Sequence, residues 1–117
     1  MGDDQLSGEV LAAITREMVR IKSESYGKGA TEAKSYQCDS FLFCVLKGGI
    51  TRVERTLLSH DEEQLVRQVR LRYQALEGEA FKDAVERLTG RKVLTYHSQI
   101  LFDPDYTIEM FVLGPAI

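Results

Sequence analysis

The chain has 117 residues, of which 44% are hydrophobic and 28% charged, and its formal net charge at neutral pH is -3. A chain of this length and composition can bury a core without disulfides or metals. We therefore expect a single soluble globular domain that spans residues 1–117. The acidic balance argues against a nucleic-acid-binding protein, because such proteins usually carry a basic face.

Two features of the sequence predict a cytoplasmic protein that does not insert into a membrane. The longest apolar run, residues 41–46, is far shorter than the roughly 20 residues that cross a bilayer. Asp3 and Asp4 stand where a secretory signal peptide would carry positive charge. We therefore expect neither a signal peptide nor a membrane segment.

The first helical pattern follows Ser7, which is a favourable N-cap residue, and Glu9 lies in the first turn where the helix dipole stabilises a negative charge. One edge is apolar and contains Val10, Leu11, Ile14, Met18 and Ile21. The other positions hold charges of both signs, Lys22 among them, whereas a membrane-surface helix would be rich in lysine and arginine. This pattern predicts a helix packed on a sheet.

A glycine loop follows this helix and is a candidate ligand site. Gly27, Lys28, Gly29 and Thr31 could hold a small anion, because two glycines permit close backbone approach and the lysine supplies a positive charge. The alternative is a helix C-cap with an exposed lysine. The spacing matches neither the Walker-type phosphate loop nor the dinucleotide fingerprint.

The next segment predicts a β-hairpin with strands at residues 34–38 and 41–46 and a turn at residues 39–40. The second strand is apolar on both faces, which predicts that both are covered. Two helices can cover only one face of a sheet this small. We therefore expect a second copy of the chain to cover the other, with Phe41, Phe43, Val45 and Phe111 at the interface of a homodimer.

The two cysteines, Cys38 and Cys44, are too few for a disulfide framework or a zinc site. The hairpin register would place their sulfur atoms on opposite faces of the sheet. We expect two reduced and mostly buried thiols.

Two capping boxes, Thr51 with Glu54 and Ser59 with Glu62, predict a short helix and then a long one that ends at Gly90. Apolar residues recur along the long helix at steps of three and four, at Leu65, Val69, Tyr73, Leu76, Ala80, Ala84 and Leu88. This stripe predicts the face that packs on the sheet. Arg67, Arg70 and Arg72 are expected on a solvent-exposed face.

Alternation returns in residues 91–102 and 107–113, around a turn at residues 103–105, and predicts a second hairpin. Leu94 and Tyr96 are expected on one face of its first strand and His97 on the other. His97 and Glu109, across the hairpin, form a pair that could work as acid and base. A plain sheet-surface pair is the alternative, and no residue is assigned a catalytic or metal-binding role.

The predicted element order is helix, β-hairpin, short helix, long helix, β-hairpin. We interpret it as a two-layer α+β domain in which helices cover one face of a four-stranded, largely antiparallel sheet.

Six segments together resemble the bacterial MpsC-type family. They are YGKGA at 26–30, CVLKGGITRVERTL at 44–57, LTGRKV at 88–93, SQ at 98–99, DPD at 103–105 and EMFVL at 109–113. Ala30 stands where the family usually has proline. The family takes its name from a proposed component of a Na⁺-translocating, membrane-potential-generating system, so the resemblance implies an accessory subunit working with a cation or inorganic-carbon transporter.

The leading functional hypothesis is a non-enzymatic accessory or regulatory domain that binds a small anionic ligand or a protein, such as a membrane-transport or signalling protein, and needs no cofactor. The alternative is a small enzyme with a pocket near Lys28, His97 and Glu109. A KH-like nucleic-acid binder is less favoured, because the junction at residues 58–62 lacks the Gly-x-x-Gly loop and is acidic.

Overall fold

The computed structural model describes residues 5–117, so Asp3 and Asp4 lie outside the described residues. The described part contains three helices and four strands in the predicted order, which confirms the α+β fold. The elements are α1 (Gly8–Tyr26), β1 (Glu32–Cys38), β2 (Phe41–Lys47), α2 (Arg52–Ser59), α3 (Glu63–Thr89), β3 (Arg91–Leu101) and β4 (Tyr106–Ala116).

The four strands form one antiparallel sheet in the order β1-β2-β4-β3, so each hairpin contributes one central and one edge strand. Pairing of Cys38 with Phe41 confirms the predicted two-residue turn. Both cysteines are free, as predicted, and Cys44 is buried. Cys38 is exposed, and its expected burial is wrong because it lies on the edge strand and on the face without helices.

The helix boundaries follow local capping chemistry with one exception. The Ser7 hydroxyl accepts a hydrogen bond from the Val10 N–H, and Thr51 and Glu54 form both bonds of a capping box. The predicted second box does not form, because Ser59 still belongs to α2 and its hydroxyl donates to the Thr56 carbonyl. The predicted break between the helices is present at residues 60–62.

The buried face of α3 differs from the predicted stripe in the first half of the helix. Leu65, Val69 and Leu76 are exposed, Leu76 to 74%. The buried positions are Val66, Arg70, Glu77, Gly78, Phe81, Ala84 and Val85. They follow a helical spacing rotated by about one residue from the predicted stripe, and the two charged members hide this face from an argument based on apolar residues alone.

The hydrophobic core lies between the helices and one face of the sheet, here called the covered face. Its fully buried members come from α1, α3, β2 and β4 and include Ile14, Met18, Leu42, Phe81, Val85 and Phe111. β3 departs from the predicted alternation at a β-bulge between Val93 and Thr95. Val93 is buried there and Leu94 is 61% exposed, the reverse of what uninterrupted alternation with Tyr96 predicts.

Candidate functional site

The glycine loop ends α1 and ties it to the end of the sheet. Gly27 has a φ of +84°, a left-handed conformation that suits glycine, and its N–H donates to the Ser23 carbonyl, so the capping role is confirmed. The Lys28 ammonium donates to the Ile50 carbonyl at 2.9 Å, and the Thr31 hydroxyl donates to the main chain at the end of β2 at 3.2 Å. These bonds give the loop a structural role.

Gly29 and Thr31 also line a groove of about 550 Å³ between α1 and β1, with Arg16 and Arg20 among its other lining residues. Arg20 is already held by Glu17 and by a second carboxylate on α1. The anion site at Gly27, Lys28, Gly29 and Thr31 therefore stays a prediction.

The predicted pairing of His97 with Glu109 is wrong. In the hairpin of β3 and β4, Glu109 lies opposite Ser98, and His97 lies opposite Met110. Adjacent strand positions point to opposite faces, so Glu109 is buried on the covered face while His97 is exposed on the other face. The two side chains cannot act on one substrate, and the pocket expected near Lys28, His97 and Glu109 is not formed.

A charged cluster lies inside the helical layer instead, centred on Arg70. Its guanidinium makes two hydrogen bonds of 2.6 Å to the Glu54 carboxylate and a third of 3.1 Å to the Gly49 carbonyl. The Tyr26 hydroxyl donates to the same carboxylate, and the guanidinium lies over the Tyr26 ring, 4.6 Å from its centre. One buried arginine thus joins α1, α2, α3 and the loop after β2.

The electrostatics of this cluster favour the ionised pair. Burial raises the pKa of Glu54, but hydrogen bonds from Arg70 and from the Thr51 N–H outweigh burial, so its pKa lies below the ordinary value. Burial likewise lowers the pKa of Arg70, and the Glu54 carboxylate reverses this, leaving it raised. The Tyr26 hydroxyl, desolvated beside this carboxylate, has a raised pKa and stays neutral.

A second buried group of charges lies further along α3, against the sheet. Lys22 donates to Glu77 at 3.1 Å, and Ser25 donates to the other oxygen of the same carboxylate. Glu109 accepts a hydrogen bond of 2.5 Å from the Tyr96 hydroxyl. Burial raises the pKa of Glu109 above its ordinary value, and the hydroxyl of Tyr96 and the charge of Lys22 only partly oppose this shift.

These buried charges were not predicted from the sequence. The prediction of a solvent-exposed Arg70 is wrong, since the residue is only 2% exposed, and Lys22, expected on the polar side of α1, is buried. The available signal was the helical spacing of Arg70 and Glu77 with Val66 and Phe81. Between residues 5 and 117, no group of three or more His, Cys, Asp or Glu side chains is arranged to hold a metal ion.

The sheet face without helices, here called the open face, is apolar at its centre. It contains the alternate residues of β1, β2 and β4 that the register places side by side, namely Tyr36, Phe41, Phe43, Val45, Ile108, Met110 and Val112. Tyr36 is 48% and Phe41 is 41% exposed, and the rings of Phe41 and Phe43 are stacked. None of the three helices in residues 5–117 packs on this face.

Three of the four predicted interface residues, Phe41, Phe43 and Val45, lie on the open face. The prediction that Phe111 lies at the interface is wrong. Phe111 is 0% exposed in the core, one strand position away from the open-face residues of β4. Met110 and Val112 take its place beside β2. The alternation of β4 in the sequence already separates these two residues from Phe111.

Polar and cationic side chains border the open face. Lys34 lies over the Tyr36 ring on β1, and Lys47 on β2 lies over the Tyr106 ring, near the same end of the sheet. On β3, His97 and Gln99 pair with Met110 and with a neighbouring residue of β4, and both are exposed. An apolar centre inside a polar rim is the usual composition of a protein–protein interface.

The helices present a second exposed apolar surface, here called the α2–α3 groove. It has a volume of about 360 Å³ and is lined by Tyr26, Thr51, Val53, Glu54, Leu57, Val66, Val69 and Tyr73. Val53 is 69% and Val69 is 38% exposed. α1 ends at Tyr26, whose ring contacts Tyr73 edge-on, so the first half of α3 lies beyond the cover that α1 gives.

None of the helices in residues 5–117 has the length and apolar character that a membrane span requires. No curated protein and no solved structure matches the chain. A family model described as "Na+-translocating membrane potential-generating system (MpsC)" matches residues 7–114, which is nearly the whole chain. The chain therefore belongs to the MpsC family.

Proposed function

We propose that the chain is a non-catalytic, cytoplasmic subunit of a Na⁺-translocating membrane-potential-generating system, and that it works by binding proteins. The open face is the observation that carries this proposal, because a contiguous apolar patch with a polar rim is typical of an interaction surface. The family to which the chain belongs supports the assignment to the Na⁺-translocating system. The charged groups inside the fold are held in internal pairs, so they support a structural role.

A second copy of the chain is the occupant we propose for the open face. Four strands about 4.8 Å apart and seven residues long give a flat area of roughly 450 Å² on each copy. A dimer would then bury roughly 900 Å² of flat surface in total. The uneven side-chain surface and the greater length of β3 and β4 raise this area toward the ~1,200 Å² at which specific interfaces begin. The face is large enough for a modest homodimer.

The composition of the open face also suits contact with itself. A two-fold axis through its centre would place the Phe41 and Phe43 rings of one copy against β4 of the other, with Met110 and Val112 as the contact. Two sheets packed face to face usually lie about 30° apart, so the apolar centres overlap and the lysines stay at the rim.

Substitution at the centre of the open face tests the dimer. Phe43→Glu places a charge there, and we expect light scattering to show a dimer for the wild type and a monomer for this variant at micromolar concentration. Leu71→Glu is the matched control, because Leu71 is exposed on α3, outside the open face, and this variant should stay dimeric. A monomeric wild type, or a dimeric Phe43→Glu variant with native circular dichroism, would contradict the proposal.

Cells of the native host test the assignment to the system. We expect deletion of the gene to lower the membrane potential reported by a potentiometric dye at high external Na⁺, and wild-type protein to restore it. The Phe43→Glu variant should restore it less well than Leu71→Glu at equal expression. An unchanged potential after deletion, at every Na⁺ concentration, would remove the proposed role and leave the dimer to be judged by light scattering alone.

A further inference from the structure

We propose that the outer edge of β3 is a docking site for an extended segment of another protein, which adds to the sheet as a fifth strand beside α3. β3 has 11 residues and pairs only with β4, so within residues 5–117 no strand lies on its other side. This edge is the border of the sheet and not its open face. The site is therefore independent of the homodimer and takes a second, different partner.

The main-chain groups of Ser98 and Tyr96 point away from the sheet. The Leu113 N–H donates to the turn that precedes β2, so the main chain of Leu113 is directed toward β2 and not toward β3. This direction alternates along a strand, so Glu109, four residues earlier, is also directed toward β2. Ser98 lies opposite Glu109 in a pair that exchanges no hydrogen bonds, and its N–H and C=O therefore face outward. Tyr96, two residues away, has the same orientation.

Two features limit how much of this edge is free. At one end, the Arg67 guanidinium donates to the Ile100 carbonyl at 3.2 Å and covers the strand. At the other end, the β-bulge between Val93 and Thr95 interrupts regular pairing. Residues 95–99 between them include no lysine, acidic residue or proline, which are the residues that usually protect an edge strand. Another chain can add a strand to an edge of this kind.

The outer edge of β1 differs from this edge in each respect. β1 has only seven residues, and Glu32 and Lys34 place charges along it. α1 packs against β1, and the Thr15 and Ser35 hydroxyls share a hydrogen bond of 2.6 Å there. Charges and a covering helix are common protections of an edge strand. The comparison favours β3 as the edge that pairs with a partner.

A groove of about 340 Å³ runs beside the free edge and is here called the α3–β3 groove. Its lining on α3 includes Gln74, Ala75 and Lys82, and Tyr96 lines it from the sheet. Lys82 is already paired with Glu79 at 2.7 Å, so the groove does not demand a charged partner at this point. A strand added to β3 would direct alternate side chains into the groove, which has room for about two of them. We expect these side chains to be apolar.

Gln74 indicates independently that the groove lacks a partner. Its carboxamide oxygen is buried and has no hydrogen-bond donor among residues 5–117, which is rare for a buried polar atom. Arg67 covers one end of the free edge, and Gly78 packs against Tyr96 near the other. Gln74 lies between them on the same side of α3. A carboxamide donates and accepts as a peptide group does, so we expect this side chain to turn toward the main chain of the added strand.

A random peptide library displayed on phage provides the probe, with the purified full chain as target. We expect the selected peptides to carry apolar residues at alternate positions and to bind as strands. In NMR spectra, binding should shift the amides of Tyr96 and Ser98 and slow their hydrogen exchange, because both N–H groups gain acceptors. The side-chain amide of Gln74 should shift as well. The amides of Phe41 and Phe43, which belong to the open face, should not move.

Two matched variants test whether the groove takes part. Ala75→Glu places a longer, charged side chain in the α3–β3 groove and should weaken peptide binding at least about tenfold. Ala80→Glu makes the same change at another exposed position of α3, outside the groove, and should alter the affinity less than about twofold. Circular dichroism and thermal unfolding of both variants separate loss of binding from loss of folding.

Methylation of the peptide's main-chain nitrogens tests the strand pairing itself. Alternate N–H groups of an added strand face the edge to which it pairs, and the others face away. Methylation of the set that faces β3 should weaken binding at least about tenfold, because those hydrogen bonds are lost. Methylation of the other set should change the affinity less than about threefold.

Four results would overturn the proposal. The first is a selection that yields no peptide with shifts at Tyr96 and Ser98, the second is equal binding by the Ala75→Glu and Ala80→Glu variants, and the third is equal loss from both sets of methyl groups. The fourth concerns a second copy of the chain. If Ser98→Pro, which removes an outward N–H, kept its native circular dichroism but lowered the mass measured by light scattering without peptide, the edge would belong to that copy.

Discussion

The two faces of the sheet differ in where they place buried charge and exposed apolar surface. The covered face, beneath the helices, includes the carboxylate of Glu109, and the helical layer above it holds the buried pairs Lys22–Glu77 and Arg70–Glu54. The centre of the open face carries the apolar side chains of Phe43, Met110 and their neighbours. Charge inside and apolar surface outside are both costly for an isolated domain.

The difference teaches what each face is for. On the covered side, every buried charge has a partner from another element, so the charges fix how the helices sit relative to one another. On the open side, Tyr36 and Phe41 are 48% and 41% exposed, and no helix of residues 5–117 is among the elements that form this face, so we expect a second molecule to bury these apolar side chains. Stability should therefore reside in one face and association in the other, which mutagenesis can test.

The largest expected effect is the loss of the buried arginine. Arg70→Met removes the partner of the Glu54 carboxylate and leaves an uncompensated buried charge, which typically costs about 3–5 kcal/mol of unfolding free energy. Urea unfolding at neutral pH measures the loss. Arg72→Met is the matched control, because the exposed Arg72 has no ion pair in the described part of the chain, and it should stay within about 0.5 kcal/mol.

The pH dependence of this effect has a definite sign. The pKa of Glu54 is lowered in the folded protein, so the stabilisation from the pair is present above the carboxyl's unfolded pKa and is lost as the pH falls through the folded pKa. The difference between wild type and Arg70→Met should therefore shrink on acidification. A constant difference at all pH values would show that lost packing, and not the charge pair, is responsible.

Adjacent residues of β2 separate the two faces directly. Leu42→Ala, on the covered face, should cost about 3 kcal/mol, because Leu42 is 0% exposed and its removal leaves a cavity. Phe43→Ala, on the open face, should cost less than about 1.5 kcal/mol in the monomer, despite the larger side chain. The unfolding free energies of the two variants should be measured at protein concentrations low enough for the dimer to be dissociated. Equal losses would mean that the open face is already covered within the monomer.

The smallest effect, and the only gain, is expected at Glu109. Its pKa is raised by burial, so the ionised form is disfavoured in the folded protein, and wild-type stability falls as the pH rises from the unfolded pKa through the folded one. Glu109→Gln keeps an acceptor for the Tyr96 hydroxyl and removes this penalty.

The Glu109→Gln variant should be more stable than wild type at neutral pH. The gain should be smaller than the losses expected for Arg70→Met and Leu42→Ala. The gain should disappear below about pH 4, where the Glu109 carboxyl is mostly protonated in both the folded and the unfolded wild-type protein. Urea unfolding at pH 4 and pH 7 checks this. A gain of equal size at both pH values would show that ionisation of Glu109 is not its cause.

Much of the fold could be predicted because local rules determine it. The caps at Ser7 and Thr51, the left-handed glycines after α1 and α3, and the alternation in β2 and β4 each act over a few residues. The predictions failed where tertiary contacts determine the local structure. The bulge at Leu94 shifts one strand by a residue, and no turn residue in the sequence marks it.

The candidate surfaces were predictable only in part. The open face follows from the apolar character of both sides of β2, a pattern that one layer of helices cannot satisfy. The α2–α3 groove was not predictable, because Leu65, Val69 and Leu76 form a regular apolar stripe that looks like a core face. Which side of α3 is buried depends on where α1 ends and on buried pairs such as Arg70 with Glu54, and both are properties of the assembled chain.

The contacts of Arg70 have a consequence for local opening. α2 has only eight residues, and a helix of that length usually frays independently of the rest of the protein. Here its Glu54 is bound by the guanidinium that also holds Gly49 and Tyr26, so α2 cannot detach without releasing the start of α3 and the end of α1. We expect amide hydrogens in the middle of α2 to exchange as slowly as those of the sheet, as one cooperative unit.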